Sequence, residues 1–113
     1  MDYAKQFLNK VVTVEIDRPL GTKHPKHNLI YTLNYGYIDG VKAPDGEYVD
    51  AYVLGVFKPL KRFTGKCIAI VHRTNDEDDK LVVVPEGALY SNKQIIALTK
   101  FQERFFKSKI LRK

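Results

Sequence analysis

The first two thirds of the chain carries short runs of β-forming residues set apart by turn and loop signals, and the last third switches to apolar positions at three- and four-residue steps. Val11 to Ile16 carries Val11, Val12, Thr13, Val14 and Ile16, side chains that suit a half-buried pleated surface, and predicts a strand. Leu29 to Tyr31 and Tyr35 to Ile38 predict short strands on either side of Asn34. Tyr48 to Phe57 is the strongest strand signal, nearly continuous in apolar residues apart from Asp50, and Pro59 ends it. Lys66 to Arg73 and Leu81 to Val84 predict two strands paired across an acidic loop. Asp45-Gly46 marks a turn. Residues 2–9 predict one or two helical turns, and residues 18–28 a loop rich in Pro, Gly, His and Lys.

The change of period comes after Ser91. Ser91 followed by Gln94 has the spacing of a capping box. Ile95, Leu98, Phe101, Phe105 and Phe106 then recur at three- and four-residue steps, which predicts one helix face through Lys107. Lys100, Arg104 and Lys107 form a neighbouring basic stripe, which suits a solvated face. Short strands followed by one long helix predict a mainly β, α+β fold: a small closed antiparallel, OB-like barrel with a C-terminal helix. No repeat or linker divides residues 1–113, so a single domain is expected.

The formal net charge of +6 admits nucleic acid, anionic lipid or a phosphorylated small substrate as partner. Two acidic clusters interrupt that balance: Asp45, Glu47 and Asp50, then Asp76-Glu77-Asp78-Asp79. They argue against a uniformly positive nucleic-acid face. Like charges so close together repel and raise one another's pKa, and a divalent cation removes that cost. Magnesium takes oxygen ligands and completes its shell with water and substrate phosphates. A solvated hairpin loop is the plainer reading of 76–79. Asp50 is the least easily explained, because a carboxylate inside an apolar strand must be paired, hydrogen-bonded or metal-bound. Tyr35 and Tyr37 also suit a core. His24 and His27 flank Pro25, which argues against a helical zinc pair. With Lys23 and Lys26 they suit phosphate oxygens instead. His72 is expected to be structural. Cys67, the sole cysteine, lies in an apolar run and reads as a buried, inert thiol. No stretch reaches the length of a membrane span, and a cytoplasmic location is the default.

The order Asn34-Tyr35-Gly36-Tyr37-Ile38, Asp45-Gly46-Glu47-Tyr48-Val49-Asp50 and Asp78-Asp79-Lys80-Leu81-Val82-Val83-Val84-Pro85 resembles the soluble family I inorganic pyrophosphatases, over about Val12 to Phe106. The resemblance implies that Asp45, Asp50 and Asp78 are metal ligands. Glu47 stands at the position linked to activating the nucleophilic water, and would bind metal or act as base. Glu15 and Tyr35 match substrate-side residues, and Lys80 the phosphate-binding lysine. Lys107 matches the lysine of a Tyr-Lys pair on the last helix, and Lys23 sits near a phosphate-binding arginine. The chain departs from the pattern at Glu47 (aspartate in the family), Tyr48 (proline), Thr13 (lysine), Phe106 (tyrosine) and Asn75, where a metal aspartate is expected and Asp76 is the candidate substitute.

The function this implies is Mg²⁺-dependent hydrolysis of inorganic pyrophosphate to two phosphates, with Mn²⁺ as an alternative metal and Glu47 and Asp50 at the catalytic centre. Two other readings remain open at the level of sequence. One is a pyrophosphatase-like domain that binds a phosphorylated metabolite without turnover or acts on another phosphoanhydride. The other, less favoured, is a nucleic-acid-binding barrel. A homo-oligomer is neither required nor excluded.

Overall fold

The structure is a computed structural model that describes residues 3–74 and 78–112. A single 3-10 turn, Lys5–Phe7, leads into strands β1 (Val11–Arg18), β2 (Asn34–Lys42), β3 (Tyr48–Val53), β4 (Arg62–Arg73) and β5 (Lys80–Val84). Helix α1 (Asn92–Glu103) and strand β6 (Ser108–Leu111) follow. The sheet order is β1-β2-β3-β5-β4, and β1 also pairs with β4, so five strands close on themselves. All of these pairs are antiparallel except β3–β5, which is parallel. Strand β6 adds to β4 outside the ring.

Closure pairs most of the edges that make open sheets prone to association, β6 covers the end of β4 that the ring leaves open, and the strands gain two apolar faces. Val12, Val14, Ile38, Val49, Ala51, Val53, Ile70, Leu81 and Val83 come from all five strands and fill the barrel, with Ala4 and Leu8 of the N-terminal turn against them. The alternate positions form a second cluster under the helix: Tyr35, Tyr52, Leu54, Ala69, Val71, Val82 and Val84, packed with Ile95. Strands β3 and β5 are buried on both faces, which is why their apolar runs are continuous rather than alternating. By the period of two, Asp50 shares the helix-side face with Tyr52, and Lys80 shares it with Val82.

The helix starts where the sequence predicts. The Ser91 hydroxyl accepts from Gln94 N at 3.2 Å, and Gln94 Oε1 accepts from Ser91 N at 2.8 Å. It ends at Glu103, four residues before Lys107, because the chain turns there and spends Ser108–Leu111 on pairing with β4. That pairing lays Ile110 and Leu111 beside Val71 and Ile70. β3 stops at Val53, where Gly55 follows at φ +90°. The short strand predicted over 29–31 is instead a loop held by one bridge, Lys23 to Ile30. Among the described residues no helix is long and apolar enough to cross a membrane. Cys67 is buried, which pushes its thiol up to about 11.

The Asn34-Tyr35-Gly36 segment owes two of its three residues to architecture. Asn34 is fully buried; its amide nitrogen donates to Val56 O at 3.3 Å and Lys58 O at 2.8 Å. Its oxygen accepts from Leu20 N at 3.0 Å and Leu60 N at 3.1 Å, so one side chain ties two loops to β2. Gly36 lets β1 approach: a Cβ there would lie 1.9 Å from Glu15 O. Gly36→Ala is therefore expected to cost about 3 kcal/mol or more, a fall in Tm on the order of 10 °C or larger by thermal melting. An unchanged Tm would contradict the close approach.

Candidate active site

Polar residues gather where the helix-side cluster reaches its open end. Lys80, the first residue of β5, is 3% exposed and stands opposite Asp50 in the parallel β3–β5 register. Its ammonium donates to Asp50 Oδ2 at 2.7 Å and to Asp78 Oδ2 at 2.8 Å. The Tyr35 hydroxyl donates to the same Asp50 oxygen at 3.0 Å, from the strand on the other side of β3. A buried ammonium is tolerated only when paired and hydrogen-bonded, and two carboxylates supply that.

A second buried cation lies beside the first. Arg73, the last residue of β4, meets Glu103, the last residue of α1, through Nε to Oε1 at 3.0 Å and Nη2 to Oε2 at 2.9 Å. Its Nη1 reaches Asp78 Oδ2 at 3.3 Å. Burial works against the guanidinium's charge, but the hydrogen bonds and charge of Glu103 outweigh it and raise the Arg73 pKa further. Glu103 sits at the C-terminal, negative end of the helix dipole, an unfavourable place for a carboxylate that Arg73 offsets. Tyr52 donates to Glu103 Oε2 at 2.6 Å and accepts from Gln102 Nε2 at 2.7 Å, while Tyr31 donates to Gln102 Oε1 at 2.8 Å. No buried side-chain nitrogen or oxygen among the described residues lacks a partner.

Two depressions meet over this row. One, of about 290 Å³, is lined by Arg18, His24, His27, Arg73 and Lys80, with Tyr31, Tyr35, Phe105 and Phe106 and the carboxylates Asp17, Asp50 and Asp78. The other, of about 440 Å³, is lined by Asp17, Asp45, Glu47, Asp50 and Asp78 with Tyr37 and Tyr48. Asp17, Asp50 and Asp78 belong to both. The result is a shelf of carboxylates against a wall of cations. His24 Nδ1 accepts from Lys26 N at 3.0 Å and His27 N at 3.1 Å, which leaves the ring proton on Nε2 as a donor. Burial, then the charges of His27, Arg18 and Lys26, lower the His24 pKa and keep it neutral.

Asp45, Glu47, Asp50 and Asp78 thus border one depression, as the clustering of charge suggests. Asp45 also shapes the turn, accepting from Glu47 N at 3.0 Å, with Gly46 at φ +88°. Lys80 and Tyr35 line the adjoining cavity. Glu15 does not: its register partner on β4 is Arg62, and the two form an ion pair at 2.8 Å. Lys23 lines a separate surface groove with Leu29, Ile30 and Phe101. Lys107 also stands apart. The helix has ended before it, and it lines the cleft between α1 and β6 with Lys100 and Arg104. His72 pairs with Asp79 at 2.7 Å, a structural contact. Asn75, Asp76 and Glu77 lie outside the described residues.

Asp17 and Arg73 are the residues that sequence reasoning passes over. Asp17 stands where the register of β1 with β2 shifts, between Ile16 and Arg18, and it lines both depressions while Glu15, two residues earlier, lines neither; a carboxylate at a strand end is the signal that finds it. Burial pushes the Asp17 carboxyl up, Arg18 opposes this, and the charge of Asp50 adds to it. Arg73 carries no such signal, since it reads as the polar end of an apolar strand.

The donor set of the acidic shelf is all oxygen, the chemistry that suits Mg²⁺ or Mn²⁺. Among the described residues no three His, Cys, Asp or Glu side chains are drawn together tightly enough to hold an ion as they lie; Asp50 and Asp78 share the Lys80 ammonium instead.

No protein-family model and no curated protein sequence matches the chain. Solved structures do match. An inorganic pyrophosphatase from Ehrlichia chaffeensis is similar with a TM-score of 0.72 and 17% identity, over 93% of this chain and 87% of that one. One from Coxiella burnetii gives 0.67 and 19%, over 93% and 86%. One from Helicobacter pylori gives 0.61 and 15%, over 90% and 82%. The fold of this chain is that of the bacterial inorganic pyrophosphatases.

The buried phenols give the fold a pH limit. Burial, then the charge of Asp50 for Tyr35 and of Glu103 for Tyr52, raise both pKa values well above 10.0. Folded values above the unfolded ones mean that this stability is present at neutral pH and is lost as pH rises. The loss begins past 9.0, where the unfolded Cys67 thiol ionises, and steepens past 10.0. The two tyrosines together are expected to remove about 2.7 kcal/mol per pH unit there. Melting curves at rising pH check this, with part of the absorbance of the seven tyrosines held back until the chain unfolds; full tyrosinate absorbance developing in the folded protein would contradict it.

Proposed function

We propose that this protein hydrolyses inorganic pyrophosphate to two phosphates with Mg²⁺, Mn²⁺ being an alternative ion. The observation that carries the reading is the carboxylate shelf of Asp17, Asp45, Glu47, Asp50 and Asp78 sharing an edge with a cation-lined cavity. A fold shared with proteins named inorganic pyrophosphatases supports it. A phosphoanhydride and its metal need opposite charges side by side, and few other small ligands do.

Asp45, Asp50 and Asp78, with Asp17, would hold the metal, and Glu47 would hold metal or take a proton from water. When bound, the ion supplies Lewis acidity toward a phosphoryl oxygen and lowers the pKa of an attacking water. The remaining work falls to the chain. Lys80, Arg18 and the Nε2–H of His24 face the cavity and would neutralise charge on the phosphoryl oxygens. Tyr35 fixes Asp50 through its hydroxyl, so that the carboxylate keeps one orientation. Glu47 is exposed in the turn after Asp45, forms no ion pair among the described residues, and reaches one methylene further than aspartate. No nucleophilic side chain is required.

A binding domain without turnover is the second reading, favoured by Lys80 already neutralising Asp50 and Asp78. Steady-state phosphate release from pyrophosphate, a nucleoside triphosphate and polyphosphate, with Mg²⁺ or Mn²⁺, separates the two. Turnover is expected with pyrophosphate. Asp50→Asn should abolish it and weaken Mg²⁺ binding in calorimetry. Glu47→Gln should retain much of the metal affinity and slow the reaction about 10²- to 10⁴-fold. Lys107→Ala should leave kcat and KM unchanged. Parent-level turnover by Asp50→Asn would overturn the site, and tight pyrophosphate binding with no turnover would establish the binding reading.

A further inference from the structure

The cations of the cavity come from the ends of three strands, Arg18 of β1, Arg73 of β4 and Lys80 of β5, rather than from the C-terminal end of the helix. Lys107 is turned to the α1–β6 cleft, and Phe105 and Phe106 line the cavity in the stretch where the helix gives out. The Arg73 guanidinium lies over the Phe106 ring, 3.6 Å from its centroid. Glu103 grips it by two parallel hydrogen bonds of 3.0 and 2.9 Å. Among the described residues its Nη1 also reaches Asp78, at a longer 3.3 Å, and Asp78 is at the same time bound to Lys80. A ring on one face and a fork on one edge fix the plane of the guanidinium before any ligand arrives. With the Nε–Nη2 edge taken by Glu103, such a fixed plane suits charge-assisted contact with a phosphate oxygen at the cavity side. A pair that served only to neutralise Glu103 would need neither the cavity nor the contact with Asp78. A cation taken up by Asp50 and Asp78 would draw their charge from Lys80 and Arg73 together, and turn both toward an anion.

We propose that Arg73 is a substrate-binding residue that anchors a phosphoryl group in this cavity, with Glu103 and Phe106 as positioning residues that act through it. The assignment of that group to a phosphoanhydride rests on the pyrophosphate reading; the phosphate site itself is tested apart from it.

Arg73→Met alone would leave Glu103 buried without a counter-charge and unfold the chain. The informative variant is therefore the neutral pair Arg73→Met with Glu103→Gln, beside Arg73→Lys, which retains charge but loses the fork and the stacking. Thermal melting reports folding. Calorimetry with orthophosphate and with imidodiphosphate, at saturating Mg²⁺, reports the site, and pyrophosphate turnover gives KM and kcat separately. The expected result is a cooperative melt near the parent's, with orthophosphate affinity down about 10- to 100-fold and KM raised in the double variant, and an intermediate loss in Arg73→Lys. A folded double variant that binds orthophosphate at parent affinity overturns the proposal. If that variant does not fold, Arg73→Lys decides: weaker orthophosphate binding at an unchanged melt supports the site, and equal binding overturns it. A parent that binds orthophosphate but does not hydrolyse pyrophosphate defeats the pyrophosphate reading while the variants still judge Arg73. A parent that binds neither compound defeats the Arg73 site as well.

Discussion

One ammonium group sets the geometry of the whole polar end of this barrel. Lys80 is buried at the start of β5 and must be neutralised there. The parallel register to β3 delivers Asp50, and the residue two before it in the chain delivers Asp78. Asp50 in turn fixes the Tyr35 hydroxyl, and Asp78 extends the row to Arg73 and Glu103. A continuous chain of charge-assisted hydrogen bonds thus runs from β2 across β3, β5 and β4 to the last residue of α1. Each link lies in a low-dielectric setting, where a satisfied pair is strong and an orphaned one is costly. The fold tolerates this row because all of its buried members are paired.

The row also explains how two opposite tasks share so small a surface. Sheet alternation sends Val49 and Ala51 into the barrel and Asp50 and Tyr52 to the helix side. At the middle of that side the residues are apolar and hold the helix. At the end, beyond the reach of Ile95, they are charged and open to a cavity. The same strands therefore carry the core and the candidate site without any insertion to house it. Tyr31, Tyr35 and Tyr52 stand at the boundary, with rings in the core and hydroxyls in the polar row. That is the arrangement in which tyrosine serves both environments at once.

Much of this was legible from residue patterns. The strands over 11–16, 66–73 and 81–84, the first six residues of the one expected over 48–57, the turn at Asp45-Gly46 and the helix cap at Ser91 follow from periodicity and turn chemistry, because those signals are local. Asp50 announced itself as a carboxylate in an apolar strand. What stayed hidden depends on partners distant in the chain. The helix stops at Glu103 because β4 offers an edge to Ser108–Leu111, a fact no window around Phe105 contains. Lys107 and Lys23 were placed by their likeness to a pattern, and each lies in a separate groove because the helix ends early and the 18–30 loop is only loosely strand-like. Glu15 is answered by Arg62 through a register that only barrel closure creates. Arg73 and Asp17 gain their meaning from the same closure.

The parallel pairing of β3 with β5 has a consequence for how the candidate site is assembled. The strand between them in sequence, β4, lies on the far side of β5, so Asp50 and Lys80 meet only after the chain has looped out through β4 and returned. Such non-local contacts form late, once the entropy of closing the loop has been overcome. The candidate site is thus complete only when the ring is closed, since opening the β3–β5 pairing separates Asp50 from Lys80. A ligand that binds only the assembled site would add its binding free energy to the closed ring alone and so act as a clamp on it.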